Sequence, residues 1–277
     1  MKYEPFQNLS LPKIGFGTWT IGGESHPNHS LEEKSLHALR SALEMGYTHF
    51  DTAEYYAGGH AEELLGQSIR ASGRMREDLF ITSKVSPEHL SYEKVLHSCE
   101  SSRRRLGLEY LDLYLIHWPS RFIKLPETIR ALNRLVAGGK IRHLGVSNFN
   151  LKLLKEAVEL CETKLMTDQV SYSLADLTCV RYGVLAYCQQ NGILLTAYSP
   201  VKPRYIRGNN PLRMLAERRG ITPQQMALAW LVQQPAVITI PMSFDPQHQA
   251  ENLAAADLEL SESELVELAA ARGIDVL

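Results

Sequence analysis

Short apolar runs alternate with amphipathic stretches along nearly the whole chain. Candidate strands are Ile14–Thr18, His49–Thr52, Leu79–Val85, Leu111–His117, His143–Asn148, Thr167–Ser171, Leu194–Ser199 and Ala236–Ile240. Between them lie helical patterns at Glu32–Met45, Glu62–Ala71, Tyr92–Leu106, Pro126–Ala137, Leu151–Leu160 and Arg181–Gln190. Pro211–Arg219 and Pro223–Gln233 are two more, each with proline where a helix begins. Several strand candidates are almost wholly apolar, as strands covered on both faces must be. Strands separated by helices, without a Pro/Gly/Ser-rich linker, predict an α/β domain built on a parallel sheet and spanning residues 1–277. Eight repeats over this length favour a closed (β/α)8 TIM barrel. Spacing alone leaves an open doubly wound sheet as the alternative. A short N-terminal hairpin within Leu9–Gly17 would precede the barrel.

Composition narrows the function classes. An apolar share of 44%, a charged share of 22% and a formal net charge of −2 describe an ordinary globular protein. That charge offers no footprint for nucleic acid or an anionic membrane. No apolar run approaches the ~20 residues needed to span a bilayer, and the start of the chain lacks a signal-peptide core. Cys99, Cys161, Cys179 and Cys188 form no CxxC pair, so reduced thiols in a cytoplasmic protein are expected.

Polar residues fall at the ends of the strands: Asp51-Thr52, Ser83-Lys84, His117-Trp118, Ser147-Asn148, Asp168-Gln169, Tyr198-Ser199 and Met242-Ser243. On a barrel, the C-terminal strand ends form one rim, where active sites sit. Asp51, Lys84 and His117 close successive strands, and Tyr56 follows Asp51 in a loop. Each alone has a plain structural reading: Asp51 as a helix cap, Lys84 as a solvated strand end, Tyr56 as a rim aromatic. Together they suit carbonyl reduction, which needs a proton delivered to oxygen as hydride reaches carbon. A phenol with a pKa near ~10 is a poor acid at neutral pH. An ammonium at Lys84 would stabilise phenolate, and Asp51 would hold that lysine charged and oriented. A fall of two units would represent about 2.7 kcal/mol. His117 would hydrogen-bond the carbonyl oxygen and stabilise its developing charge.

These residues resemble the aldo-keto reductases, from about Ile14 to Leu260 and with the order of motifs kept. The carriers are Gly-Phe-Gly-Thr-Trp at 15–19, Phe-Asp-Thr-Ala-Glu-Tyr-Tyr at 50–56 and Ile-Thr-Ser-Lys at 81–84. Leu-Asp-Leu-Tyr-Leu-Ile-His-Trp-Pro at 111–119, Gly-Lys-Ile-Arg at 139–142 and Gly-Val-Ser-Asn-Phe at 145–149 follow. The resemblance implies that Tyr56, rather than Tyr55, is the general acid, tuned by Asp51 and Lys84, with His117 orienting the substrate. It also implies a nicotinamide cofactor extended across the barrel mouth without a Rossmann fold. Gly15-Phe16-Gly17 is no dinucleotide fingerprint, because Thr20 occupies the third glycine position.

By the same resemblance, Ser147, Asn148 and Gln169 would bind the nicotinamide carboxamide and Tyr198 would stack beneath the ring. Ser199-Pro200-Val201 would begin the loop over the pyrophosphate, and Thr18 and Trp19 would complete that side. Met242, Ser243, His248, Glu251 and Asn252 would meet the adenosine end. Here the chain departs from the aldo-keto reductases it resembles, which have lysine and then arginine gripping the 2′-phosphate of NADP(H). Met242 and His248 stand in those places, and Asp245 adds a negative charge. NADP(H) is expected from the family, and a reduced preference for it, with NAD(H) accepted or even favoured, from these substitutions. Lys202, Arg204 and Arg207 would restore charge if their loop folded over the site.

Trp19, Tyr55, His117 and Trp118 would line the substrate pocket. The short Ser120–Leu125 segment and a short C-terminal tail suggest an open pocket for small aldehydes, α-dicarbonyls such as methylglyoxal, or simple ketones. Two other classes compete. A metal-dependent hydrolase could use His49, Asp51 and His117, but no later His pair and no HExxH motif supports it, and no metal site is read. A non-catalytic sensor or subunit that binds the nicotinamide cofactor would not need Asp51, Tyr56, Lys84 and His117 together. Oligomeric state is not readable.

Overall fold

The computed structural model describes residues 2–207 and 211–270. The described residues form ten strands: β1 (Tyr3–Phe6), β2 (Leu9–Pro12), β3 (Phe16–Gly17), β4 (His49–Asp51), β5 (Phe80–Val85), β6 (Leu111–Ile116), β7 (Ile141–Ser147), β8 (Thr167–Ser171), β9 (Leu194–Tyr198) and β10 (Val237–Thr239). Helices α1 (Glu32–Glu44), α2 (His60–Ser72), α3 (Tyr92–Leu106), α4 (Leu125–Ala137) and α5 (Leu151–Leu160) follow β3 to β7 in turn. After β8 come α6 (Thr178–Arg181) and α7 (Val184–Asn191), and after β9 come α8 (Pro203–Ile206), α9 (Pro211–Arg219) and α10 (Pro223–Val232). Helices α11 (Pro246–Ala254) and α12 (Glu262–Ala270) close the described chain.

Strands β3 to β10 form one sheet in sequential order, every neighbour parallel. The sheet closes on itself. Gly15 N–H donates to Thr239 O at 2.8 Å, Thr239 N–H to Lys13 O at 2.8 Å, and Gly17 N–H to Pro241 O at 3.2 Å. A Cβ on Gly17 would sit 2.6 Å from the Ile240 carbonyl oxygen, so the seam needs a residue without a side chain there. The result is the (β/α)8 barrel that the alternation predicts.

Packing follows from the pattern. All six residues of β6 are buried, because the barrel interior covers one face and helices the other. Helix α4 turns Ile129, Ala131, Leu132 and Leu135 inward. Leu113, Leu115, Met166, Leu194 and Ile238 fill the barrel, and Phe6 and Leu11 of the hairpin pack on them. The hairpin therefore plugs the end of the barrel opposite the strand C-termini. It is tied there by an ion pair between Lys13 and Glu4 and by Lys13 donating to Gln234 O at 2.7 Å.

Three expectations change. The hairpin pairs Tyr3–Phe6 with Leu9–Pro12, one arm earlier than Leu9–Gly17, because Phe16–Gly17 is drawn into the barrel as its first strand. The pattern at Arg181–Gln190 splits into α6 and α7 at Gly183, whose φ of 76° breaks the helix. Helices α11 and α12 were not anticipated; Asp245 caps the first by accepting from Gln247 N–H at 2.8 Å, a start signal ahead of Pro246. No helix among the described residues is long and apolar enough to cross a membrane.

Candidate active site

A cavity of about 740 Å³ runs across the C-terminal mouth of the barrel. Every residue proposed above for cofactor or substrate lines it, from Trp19, Tyr55, Tyr56, His117 and Trp118 at one end to Met242, Ser243, His248, Glu251 and Asn252 at the other. Thr18, Ser147, Asn148, Gln169, Tyr198, Ser199, Pro200 and Val201 lie between. Lys84 alone is absent from the surface, wholly buried beneath the floor.

That burial defines the chemistry. Lys84 Nζ donates to Asp51 Oδ1 at 2.5 Å, to the Thr52 carbonyl oxygen at 2.8 Å and to Tyr56 Oη at 3.2 Å. The three donors of the ammonium are thus all used. Strand alternation puts Asp51 and Lys84 on the inward face of adjacent strands, and the sharp turn after β4 brings Tyr56 back over them. Ala57, just after the tyrosine, takes a φ of 50° and ties the turn to the preceding loop through its N–H to Glu24 O at 2.6 Å. Thr20, Asn148 and Ser199 also hold positive φ values (75°, 64° and 49°), so backbone strain gathers around the mouth.

Burial dominates the electrostatics. It pushes the Tyr56 phenol above its ordinary value; the charge of Lys84 opposes this, and Asp51 reinforces it. A net fall was the expectation from the lysine alone, and desolvation outweighs it. Lys84 itself is held above its usual value: burial would lower it, but Asp51 and Tyr56 together prevail. The ring of His117 stands edge-on to Tyr56, centroids 5.6 Å apart. Burial, helped by the Lys84 charge, lowers its pKa to about 3, so it is neutral at ordinary pH. A phenol that keeps its proton, a fixed cation below it and a neutral imidazole beside it can deliver a proton to, and hydrogen-bond, one oxygen between them.

The other half of the cavity carries a polar relay. Tyr198 Oη donates to Asn148 Oδ1 at 2.8 Å, Asn148 Nδ2 donates to Ser147 Oγ at 2.9 Å and to His117 O at 3.0 Å, and Ser147 Oγ donates to Gln169 O at 2.7 Å. Gln169 Nε2 donates to Asp51 Oδ2 at 2.8 Å. One of the two amide N–H donors is thereby used, which leaves the second donor and the acceptor oxygen to offer a ligand.

At the aromatic end of the cavity, Trp19 and Tyr55 stack with their rings 3° from parallel, and Trp19 meets Tyr56 edge-on at 5.1 Å. Trp19, Tyr55 and Trp118 are 41%, 48% and 49% exposed, an aromatic rim open to solvent rather than core. The far part of the C-terminal tail lies outside the described residues.

Three strand-end residues do not join the mouth. Thr52, next to Asp51, is wholly buried away from the cavity, Ser83 faces outward and donates to the buried Glu62 at 2.5 Å, and Asp168 turns into the layer between barrel and helices, its carboxyl pushed well up by burial. The reason is alternation: neighbours of Asp51, Lys84 and Gln169 must point the other way. Sequence reasoning passed over Pro87, Glu88 and Gln224, which also line the cavity. Pro87 and Glu88 follow β5 directly, so their rim position was a usable signal. No lysine or arginine lines the cavity among the described residues; Lys202 reaches back to Ser171 Oγ at 3.4 Å instead.

Comparison with known proteins agrees with this geometry. The sequence pattern described as "Aldo/keto reductase family" matches residues 13–272. The methylglyoxal reductase YeaE of Escherichia coli is 37% identical over 94% of this chain and 91% of its own. Among solved structures, the thermostable aldo-keto reductase Tm1743, crystallised with the inhibitor epalrestat, superposes with a TM-score of 0.91 and 43% identity, covering 97% of this chain and 98% of that one. An aldo/keto reductase from Klebsiella pneumoniae, solved with NADP and acetate, gives a TM-score of 0.87 and 36% identity over 99% and 96%.

Proposed function

The chain belongs to the aldo/keto reductase family, an oxidoreductase that reduces carbonyls, and from that premise we propose that it converts small α-dicarbonyls and reactive aldehydes to alcohols, with Tyr56 as the proton donor. The observation that carries this reading is the buried lysine that donates at once to Asp51 and to Tyr56 on the cavity floor. A structural lysine gains nothing from pointing at a phenol in an open cavity. A phenol that must give up its proton does, because the cation stabilises the phenolate left behind.

The cavity's donor set fits a nicotinamide dinucleotide. Ser147, Asn148 and Gln169 present hydroxyl, amide and carbonyl groups to a carboxamide, and Tyr198 offers a flat face held by its bond to Asn148. When bound, the reduced nicotinamide supplies the hydride. Tyr56 delivers the proton from Oη, Lys84 compensates the charge, Asp51 keeps Lys84 in place, and neutral His117 orients the carbonyl oxygen. The rim of Trp19, Tyr55 and Trp118 covers the apolar part of a small substrate without enclosing it. Similarity to a methylglyoxal reductase supports the α-dicarbonyl class.

The adenosine end favours a reduced preference for NADPH. Met242 is uncharged, with Thr20 Oγ1 near its sulfur at 3.9 Å, Asp245 is spent on the α11 cap, and Glu251 lines the cavity. No lysine or arginine among the described lining residues meets a dianionic phosphate.

The test is turnover of methylglyoxal and 4-nitrobenzaldehyde by wild type and Tyr56→Phe with each nucleotide. Loss of the acid should lower kcat by about 10²- to 10⁴-fold with nucleotide affinity unchanged. Equal rates for the two proteins would remove Tyr56 from the mechanism. Running NADPH against NADH on wild type decides the second point: NADPH favoured 100-fold or more, roughly 2.7 kcal/mol, would sink it.

A further inference from the structure

Outside the cavity, the short turn His29–Leu31 leads into α1 beside the first residue of α2. There His29 Nδ1 lies 3.4 Å from Glu32 Oε2, and His60 Nε2 lies 3.7 Å from the same oxygen. All three candidate ligand atoms fall within 4.8 Å of one another. A tetrahedral zinc ion with bonds of about 2.0–2.1 Å needs its ligands about 3.3–3.4 Å apart. Two edges of that triangle already lie within a few tenths of an ångström, and His29, at 75% side-chain exposure, is free to close the third.

His60 is set up as a ligand rather than as a bystander. Its Nδ1 sits 2.9 Å from Glu63 Oε2, so a proton on Nδ1 satisfies Glu63 and leaves the lone pair on Nε2. That is the carboxylate–imidazole arrangement which orients metal-binding histidines. Nε2 is buried without a hydrogen-bond partner while it faces the Glu32 carboxylate. Two acceptors facing each other at a half-buried place repel, and either a proton or a metal ion between them relieves it. The ring is also held in place: a Cβ on Gly22 would meet its Cδ2 at 2.9 Å.

The geometry points to a binding site for a borderline transition-metal dication such as Zn²⁺, formed by His29, Glu32 and His60, with Glu63 fixing the His60 ring. Two imidazoles and one carboxylate select such ions over the harder Mg²⁺ and Ca²⁺. The ion would join the start of α1 to the start of α2, at the end of the turn that carries Tyr56. It needs no part of the carbonyl-reduction reading and stands or falls separately.

The experiment uses tag-free full-length protein titrated with ZnCl2 against a chromophoric chelator, with MgCl2 as the comparison ion. Wild type should take up one equivalent of Zn²⁺ that excess Mg²⁺ does not displace. His29→Ala at an exposed position and Glu32→Gln at a half-buried one, both checked for wild-type circular dichroism, should each weaken binding at least 10-fold. Glu63→Gln should weaken it by about 10-fold through His60, and His97→Ala, on α3, should leave it unchanged. The site is disproved by an absence of saturable Zn²⁺ uptake in wild type, the outcome if a proton occupies the gap, or by uptake that survives both His29→Ala and Glu32→Gln.

Discussion

Replacing Lys84 with methionine probes the buried centre most directly, because its cost follows from the contacts. The substitution keeps roughly the side-chain volume and removes the charge. Asp51 then retains one donor, Gln169 Nε2, in a fully buried place, and the Thr52 carbonyl loses its partner. Breaking a buried ion pair from one side costs about 3–5 kcal/mol. An independent ceiling comes from letting Asp51 take a proton in the variant. For a carboxyl whose unfolded-chain value is ~3.9, protonation at pH 7 costs roughly 4 kcal/mol. The two estimates agree, so a loss near 4 kcal/mol at pH 7 is expected.

The pH dependence gives the sharper check. If Asp51 is protonated in folded Lys84→Met, the folded state holds a proton that the unfolded state lacks above pH 4. Stability of the variant then falls as pH rises, by up to about 1.4 kcal/mol per unit. Urea unfolding followed by tryptophan fluorescence should show a deficit against wild type that shrinks by about 2–3 kcal/mol between pH 7 and pH 5. In Asp51→Asn/Lys84→Met the titrating group is gone, and the deficit should be smaller and the same at both pH values. A loss under about 1 kcal/mol at pH 7, or a deficit equal at both pH values in the single variant, refutes the reasoning.

Other predictions rest on separate features. Met242→Lys/His248→Arg should raise kcat/KM for NADPH by roughly 30-fold, about 2 kcal/mol from two partly exposed charged contacts, while NADH changes little; equal gains for both nucleotides would place these residues away from the phosphate. Gly17→Ala should cost about 1–3 kcal/mol by urea unfolding, because the new Cβ strikes the Ile240 carbonyl across the barrel seam, and wild-type stability would mean the seam yields. Burial holds His49 near a pKa of about 4 and His117 near about 3, so the unfolded chain takes up protons below pH 6.5 that the folded chain refuses. Stability should therefore fall with pH from 6.5 toward 4, by up to about 1.4 kcal/mol per unit for each group. His117→Asn should flatten that slope; an unchanged slope would show that His117 is not held neutral.

The barrel was legible because its strands must be apolar on both faces, which leaves runs such as Leu111–Ile116 and Leu194–Ala197 readable without context. The cavity was legible for a related reason: side chains at strand C-termini have one mouth to point into. Legibility failed where a second residue at the same strand end had to point elsewhere. Ser83 and Asp168 read as rim chemistry, yet alternation sends both outward. It failed again in the sign of the Tyr56 shift, since charge partners can be guessed from motifs but the depth of burial cannot. The His29, Glu32 and His60 cluster left no local signal, because its ligands come from a turn and two helices whose approach is fixed only by packing.

A hydrogen bond between two side chains ties the two halves of the cavity together. Strands β4 to β6 supply Asp51, Lys84 and His117, while β7 to β9 supply Ser147, Gln169 and Tyr198. Gln169 Nε2 donates to Asp51 Oδ2, the oxygen not taken by Lys84. The residue that would hold the carboxamide is thus also the second anchor of the carboxylate that positions the lysine. A ligand drawing on the Gln169 amide therefore acts, through Asp51, on the cation beneath Tyr56. In the proposed mechanism, positioning of the hydride donor and readiness of the proton donor would share one hydrogen-bonded chain, which neither half of the barrel could build alone.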